Sequence, residues 1–361
     1  MSINVAIIKP ADNGCNLHCK YCYADGQPDK INFMSIETAK RIVDELFQQA
    51  KKRVTFLWHG GEPMLRGLDF FAYVFDYQKQ VFKNSNIEYR NAIQTNLTLF
   101  DEKWAAFLKE HKITISTSLD GTRELHNKNR IFSNGQGSYD KLVDNIKLAQ
   151  SYGIKTNALC VISQENLDCA CDICSTLNEL NISHVGFLPC FKKNNDVVVY
   201  PSLKPSEFGN FMIEMFDLYL SGIAKFDIRE FEQIMKACFN KTTNTCSFSG
   251  ECSKFISINS KGIITPCDTV TIDEENILGN IFDESLKSII LSDKYKKLMF
   301  SKKILSKQCL QCNYLKFCYN GCPTKQDNSK YYFCEDRKMM FNYVQNILLE
   351  IINNVKGEKT C

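Results

Sequence analysis

Cysteine is the residue that most limits what this chain can be. Eighteen occur in 361 residues, and eleven of them are gathered in two places, three within Cys15–Cys22 and eight within Cys246–Cys334. The opening MSINVAIIKP lacks the basic start, long apolar stretch and small-residue cleavage site of a secretion signal, and no run of about 18 apolar residues exists to span a membrane. A cytoplasmic chain is expected. In a reducing compartment, spaced cysteine groups serve metals or catalysis rather than disulfides. Charge adds no second theme: Lys+Arg 44 against Asp+Glu 41 leave +3, too little and too evenly spread to predict a nucleic acid or a membrane surface as partner.

The two groups sit in differently patterned stretches. From residue 3 to about 190, short β-branched and apolar runs alternate with longer amphipathic ones, the rhythm of strand–helix units around a parallel sheet. Strands are predicted over Asn4–Ile8, Val54–Trp58, Glu88–Gln94, Thr114–Leu119, Lys155–Ile162 and His184–Leu188. Helices are predicted near 35–50 (with Ser35 as N-cap), 68–82, 101–110, 138–151 and 166–180. The expected fold is α/β, a partial (β/α)6 barrel over residues 1–200. Residues 201–245 read as a helical bridge, with helices near 206–221 and 228–238. In 246–361 the rhythm stops, leaving a small Cys-rich domain. Phe255–Ile258 and Ile263–Thr265 form a hairpin around Asn259-Ser-Lys-Gly262, and an amphipathic helix closes the chain from about Asp336 to Val355. With 44% hydrophobic residues the chain can bury a large core and a smaller one.

Gly14-Cys15-Asn-Leu-His-Cys19-Lys-Tyr-Cys22-Tyr23 follows directly on the first predicted strand, at the carboxyl end where barrel folds carry their active sites. Three thiolates hold three irons of a four-iron cluster and leave the fourth open to a ligand. A zinc site completed by His18 or His59, or plain buried thiols, is the alternative. The triplet, with Tyr21 before its third cysteine, resembles the signature of radical S-adenosylmethionine (SAM) enzymes. Gly60-Gly61-Glu62-Pro63, behind the second strand, is similar to the stretch with which that family binds the methionyl amino group. Gly60 and Gly61 admit close backbone approach, and Glu62 supplies the negative charge an ammonium needs. Gln94-Thr-Asn-Leu-Thr98 and Ser116-Thr-Ser-Leu-Asp-Gly121 also resemble SAM-contacting stretches. The resemblance implies Tyr21, Ser118 and Arg130 as further cofactor-binding residues, the last two for SAM's carboxylate and ribose. An ordinary strand serine and a surface arginine are the plain alternatives.

The second group reads Cys246-x5-Cys252-x14-Cys267, then Cys309-x2-Cys312-x5-Cys318-x3-Cys322-x11-Cys334. Eight thiolates make two complete sets of four, enough for two closed clusters, although zinc also fills four-cysteine sites. The order of spacings resembles the SPASM auxiliary-cluster domain of radical SAM enzymes that modify peptides. That likeness implies one 4Fe–4S cluster on Cys246, Cys252, Cys267 and Cys322, and another on Cys309, Cys312, Cys318 and Cys334. With the N-terminal cluster this makes three, beside SAM. The tempting Cys169-Ala-Cys171-x2-Cys174 lies in a helical pattern, where a one-residue step turns two thiols apart, and buried packing is expected of it.

The whole chain most resembles the anaerobic sulfatase-maturating enzymes: Ile7-Ile-Lys-Pro10, Asp120-Gly121 with His126 and Arg130, Ser202-Leu-Lys-Pro205 and Pro266-Cys-Asp268 all match. The resemblance implies that SAM, cleaved at the open iron, yields a 5′-deoxyadenosyl radical that takes hydrogen from a cysteine or serine side chain of a sulfatase polypeptide, which ends as formylglycine. It also implies a catalytic base, Asp268, and an electron donor such as flavodoxin or ferredoxin. Two residues depart from the group: His59 stands where Gln is common, and Leu97 where Gly is usual. A maturase of a small ribosomally made peptide, forming a thioether, a carbon–carbon link or an epimerised centre, is the competing reading. A non-enzymatic cluster carrier would need neither the open triplet nor Gly60–Pro63.

Overall fold

Each predicted strand and helix of the first half has its counterpart in the computed structural model, which describes residues 2–24, 31–194, 197–301, 305–327 and 329–357. In chain order come β1 (Val5–Ile8), α1 (Ile36–Gln49), β2 (Arg53–Trp58), α2 (Leu68–Phe82), β3 (Glu88–Thr95), α3 (Glu102–Glu110), β4 (Ile115–Ser118), α4 (Arg123–Asn129), α5 (Tyr139–Ser151) and β5 (Thr156–Ile162). Then follow α6 (Ala170–Glu179), β6 (His184–Pro189), β7 (Lys192–Asn194), β8 (Val197–Val199), α7 (Glu207–Leu220), β9 (Asp227–Ile228), α8 (Arg229–Cys238) and α9 (Cys246–Ser249). The last part holds β10 (Phe255–Ile258), β11 (Ile263–Thr265), β12 (Gly279–Asn280), α10 (Leu286–Leu291), α11 (Asp293–Ser301), α12 (Lys307–Leu310), α13 (Leu315–Cys318), β13 (Gln326–Asp327), β14 (Lys330–Tyr331) and α14 (Cys334–Gly357). Among the described residues no helix is long and apolar enough to cross a membrane.

The chain folds as two compact units, each made of two stretches: 1–159 with 252–302, and 160–251 with 303–361. In the first, β1, β2, β3, β4 and the start of β5 pair in parallel in that order. On the other side of β1 lies β10, also parallel, with Val5 opposite Phe255 and Ile8 opposite Ile258. The predicted hairpin is therefore no free-standing piece, since β10 extends the parallel sheet while β11 and β12 continue it antiparallel. Helix α1 starts where Ser35 Oγ accepts from Thr38 N at 3.0 Å, and it buries Ala39, Ile42, Val43 and Leu46 on one stripe. Edge-to-face aromatic pairs fill the core under the end of β2, with Trp58 and Phe71 centroids 5.3 Å apart and Phe71 and Trp104 also 5.3 Å apart. Such pairs add about 0.5–1.5 kcal/mol each to simple burial and stiffen the loop that leaves Trp58.

In the second unit β6 pairs in parallel with β9, β7 with β8 and β13 with β14 antiparallel. Helix α14 docks on α7 through Asp336, whose carboxylate accepts from Ser206 N at 3.0 Å and Gly209 N at 2.8 Å and so serves the otherwise unpaired first turn of α7. One expectation needs correction. Cys171 is exposed and Cys169 only half-buried, while Cys174 alone of the three is buried. Helix α6 begins at Ala170 and is amphipathic, so Cys171 falls on its outer side, its Sγ 3.8 Å from Glu214 Oε1.

Candidate active site

The cysteine triplet occupies the loop after β1, and the loop after β2 is laid across it. Gly61 N donates to Asp12 O at 2.9 Å and Glu62 N to Gly14 O at 2.8 Å. A Cβ on Gly60 would stand 2.5 Å from Asp12 O and one on Gly61 1.9 Å from Gly14 O, so neither position admits a side chain. The glycines thus seat the Glu62 loop on the cysteine loop itself. Asp12 is anchored in turn by Ser260, whose N and Oγ donate to its carboxylate at 2.7 and 2.9 Å.

Glu62 is fully buried. Its Oε1 accepts from Met64 N at 2.9 Å and Thr95 Oγ1 at 2.7 Å, and its Oε2 from Asn96 N at 2.7 Å. Burial lifts its pKa to about 7 against the pull of these donors. A carboxylate offers roughly four acceptor positions, so Oε2 keeps one for an added donor. Asn96 extends the link to the triplet, its Nδ2 donating to Asn16 Oδ1 at 2.8 Å and lying 3.7 Å from Cys15 Sγ. The next residue is Leu97, with φ 62°, a conformation natural to the glycine usual there. Full burial of its side chain, Thr95 Oγ1 accepting from its N–H at 2.9 Å and Asn145 Nδ2 donating to its carbonyl at 2.7 Å hold the turn without glycine.

Cys15, Cys19 and Cys22 are half-buried free thiols. Burial pushes Cys15 up to about 12 and Cys19 up to about 11, and the neighbouring thiols add to both rises. Left to themselves Cys15 and Cys19 keep their protons, so a metal must displace them. Among the described residues no three Cys, His, Asp or Glu side chains gather tightly enough to share one metal ion. An all-sulfur, three-membered donor set suits the corners of a four-iron cluster with one corner open.

Tyr21 and Arg130 meet beside Cys19. Arg130 forks onto Asp120, Nε to Oδ2 at 2.9 Å and Nη2 to Oδ1 at 3.3 Å, and the Tyr21 hydroxyl donates to the same carboxylate. The guanidinium carbon stands 5.3 Å from the Tyr21 ring centre, and its charge acts on Cys19. Arg130 is therefore buried, not the surface residue the alternative supposed. Ser118, at the end of β4, has Gln94 Nε2 at 3.4 Å from its Oγ.

Asp268 arrives from the far end of the sequence. Tyr23, the residue after Cys22, donates its hydroxyl to Asp268 Oδ2 at 2.7 Å, and Lys9 Nζ donates to the Asp268 carbonyl at 3.1 Å. Cys267 Sγ lies 3.2 Å from Asp268 Oδ1. Burial alone would raise the Asp268 carboxyl, but His59, the Tyr23 hydroxyl and Lys9 outweigh it and hold the group below the ordinary carboxylate range. His59 has its Nδ1 2.6 Å from Gly60 N, which must donate, so the ring proton belongs on Nε2. Burial lowers the pKa of this histidine, and the Asp268 carboxylate pulls the other way. Sequence reasoning assigned no role to Lys9, Tyr23 or Asp120. All three lie inside quoted stretches, but nothing local marks their partners.

The remaining cysteines are placed as follows. Cys252 and Cys267 lie in the first unit, and Cys246, Cys309, Cys312, Cys318, Cys322 and Cys334 in the second. Cys309 is buried 3.6 Å from Asn320 Oδ1, and Cys322 Sγ is 3.1 Å from Thr324 Oγ1. None of the described cysteines forms a disulfide, and Cys361 lies outside the described residues.

A profile of the Radical SAM superfamily matches residues 12–177, and one of an iron–sulfur cluster-binding domain, SPASM, matches residues 246–313. Both imply iron–sulfur cofactors. The cysteine-type anaerobic sulfatase-maturating enzyme of Clostridium novyi (strain NT) is 30% identical over 351 residues, covering 93% of this chain and 93% of that one. The cysteine-type enzyme of Clostridium perfringens (strain 13 / Type A) is 29% identical over 367 residues, covering 97% of this chain and 98% of that one. Among solved structures, native anSMEcpe with bound AdoMet matches with a TM-score of 0.85 at 29% identity, covering 97% of this chain and 99% of the other. With its cysteine loop, its Glu62 loop and its Asp268 arranged on that fold, the chain belongs to the anaerobic sulfatase-maturating enzymes of the radical SAM superfamily.

Proposed function

We propose that this chain oxidises a cysteine or serine side chain of a sulfatase polypeptide to formylglycine, in an anaerobic cytoplasm. The observation that carries the reading is the seat of Asp268, a carboxylate from residue 268 held by the tyrosine that follows Cys22. SAM and a cluster on Cys15, Cys19 and Cys22 supply, when bound, the radical that removes hydrogen from the substrate Cβ. The protein's task is to place that carbon and to take the proton from its sulfur or oxygen.

Asp268 is suited to the proton. Its depressed pKa keeps it ionised at neutral pH, Tyr23 fixes Oδ2, and Oδ1 accepts from the Cys267 thiol, which would no longer donate as a deprotonated ligand. Glu62 is assigned to the SAM ammonium through the spare acceptor position on Oε2. Ser118, Tyr21 and Arg130 complete the cofactor set, Arg130 with a charge already shared with Asp120. Cys246, Cys252, Cys267 and Cys322, and Cys309, Cys312, Cys318 and Cys334, would hold two further 4Fe–4S clusters, three in all with the N-terminal one, and these would supply an acceptor for the electron left on the substrate. A flavodoxin or ferredoxin supplies the reducing electron.

The test is anaerobic incubation of the reconstituted, reduced protein with SAM and a sulfatase-derived peptide containing Cys-x-Pro-x-Arg, read by mass spectrometry and by 5′-deoxyadenosine release. Replacement of the thiol by an aldehyde oxygen is expected. Release of 5′-deoxyadenosine with the peptide unchanged would turn the assignment to other peptides. Asp268→Asn is expected to spare SAM cleavage and stop the product, and full product from that variant would remove Asp268 as base.

A further inference from the structure

A buried charge without a counter-charge stands in the second unit. Arg337 lies on the first turn of α14, three residues after Cys334 and hence on the same face, and is 7% exposed. Its guanidinium carbon sits 3.5 Å from the centre of the Phe248 ring, and Nη2 donates to Ser247 Oγ at 3.3 Å. Nη1 is buried with no hydrogen-bond partner. None of the ion pairs among the described residues includes Arg337. The adjacent Asp336 spends both carboxylate oxygens on the start of α7.

A second, half-buried cation makes the imbalance larger. Lys325 Nζ donates to the Pro189 carbonyl at 2.9 Å, and its charge and that of Arg337 repel. Proteins rarely bury an unpaired guanidinium, because the lost hydration exceeds what packing on a ring returns. Besides the Phe248 and Tyr331 rings, the latter 5.6 Å from the guanidinium carbon, the groups that the charge of Arg337 reaches include thiols. Its charge acts on Cys318, and Cys318 is in turn close enough to Cys309 and Cys334 for their charges to interact. Lys338, one residue on, feels both Cys334 and Cys312. A four-iron cluster on four thiolates is a dianion and becomes more negative on reduction, so it is the anion such a site lacks.

We propose that Arg337 is the counter-charge of the iron–sulfur cluster held by Cys309, Cys312, Cys318 and Cys334, and that it keeps that cluster's reduction potential above the value the thiolates alone would set. This rests on reading those four cysteines as cluster ligands. A cation favours the more negative, reduced state, and the stacked Phe248 and hydrogen-bonded Ser247 hold the fork in one orientation. The consequence is a cluster better able to accept an electron delivered during substrate oxidation.

The experiment uses the full chain, reconstituted anaerobically, with Cys15, Cys19 and Cys22 replaced by alanine so that only the C-terminal clusters contribute signal. Iron per chain and EPR-monitored redox titrations are compared for Arg337, Arg337→Gln and Arg337→Lys. Poised at the parent midpoint, one cluster of the Gln variant is expected to show a reduced-to-oxidised ratio about tenfold lower, which is about 59 mV for a one-electron couple. The Lys variant is expected to stay within about threefold. Unchanged midpoints for both clusters in an iron-replete Gln variant would overturn the proposal. If the Gln variant loses iron, the Lys variant decides: retained iron supports the charge, and equal loss overturns it. The cluster reading is tested apart, by Cys318→Ala. An undiminished iron count there would refute the ligand assignment itself, whereas iron loss there with no shift at Arg337→Gln would sink only the role of Arg337.

Discussion

His126 is 1% exposed and wired as a neutral ring, with Nε2 3.0 Å from Ser138 Oγ, whose hydroxyl donates on to the Arg130 carbonyl at 2.9 Å. Burial drives its pKa down to about 3, with Asp120 opposing and Arg130 assisting in smaller measure. The unfolded chain titrates near 6.5, so below that pH the unfolded state binds the extra proton and folding loses stability, until the folded state also protonates near 3. Between pH 7 and pH 5 the loss is about 2 kcal/mol. Urea midpoints measured anaerobically at both pH values should show it, and His126→Gln should flatten that part of the slope. At this scale the sequence was readable wherever chemistry dictates residue type. Thiols bind iron, and only glycine fits 1.9 Å from a carbonyl oxygen. The pairing of Tyr23 with Asp268, 245 positions apart, has no local pattern from which to be read.

Elements with a strong period were legible almost to the residue, because a buried stripe or an alternating strand is written in consecutive side chains. The short α4, whose sequence RELHNKN carries a single apolar residue, was not. Nor was the hold of α1 on α10. Glu45, 2% exposed, accepts from Leu286 N at 2.7 Å and pairs with Arg41 at 3.0 Å, while Arg41 Nε donates to the Ile281 carbonyl at 3.0 Å. Glu45→Ala leaves a buried helix-end N–H without its acceptor and removes the ion-pair partner of the part-exposed Arg41, a loss of about 1–3 kcal/mol. Denaturation curves should show that drop, and limited proteolysis should cut first between β12 and α10. Unchanged cleavage would mean that Ser285, which caps α10 through Ser288 N, suffices alone.

The whole molecule is ordered differently from its sequence. The first unit needs both its stretches: Lys9 N donates to the Ile258 carbonyl and Asn4 N to the Lys254 carbonyl, each at 2.9 Å. A chain ending at Glu251 is therefore expected to lose the N-terminal cluster as well as the others, although Cys15, Cys19 and Cys22 are intact. Iron content and 5′-deoxyadenosine release after reconstitution check this, and a truncated chain that still cleaves SAM would show the triplet loop to be self-sufficient. Composition and cysteine spacing could not foretell the arrangement, since strand partners distant in the chain share only a generic apolar pattern. The parallel seam between β1 and β10 also has a meaning in time. A ribosome adding about 5–20 residues each second makes β10 roughly 12–50 seconds after Cys22. For that interval the nascent triplet is an open loop, and the delivery of iron can precede the arrival of the strand that will fasten Asp268 beside it.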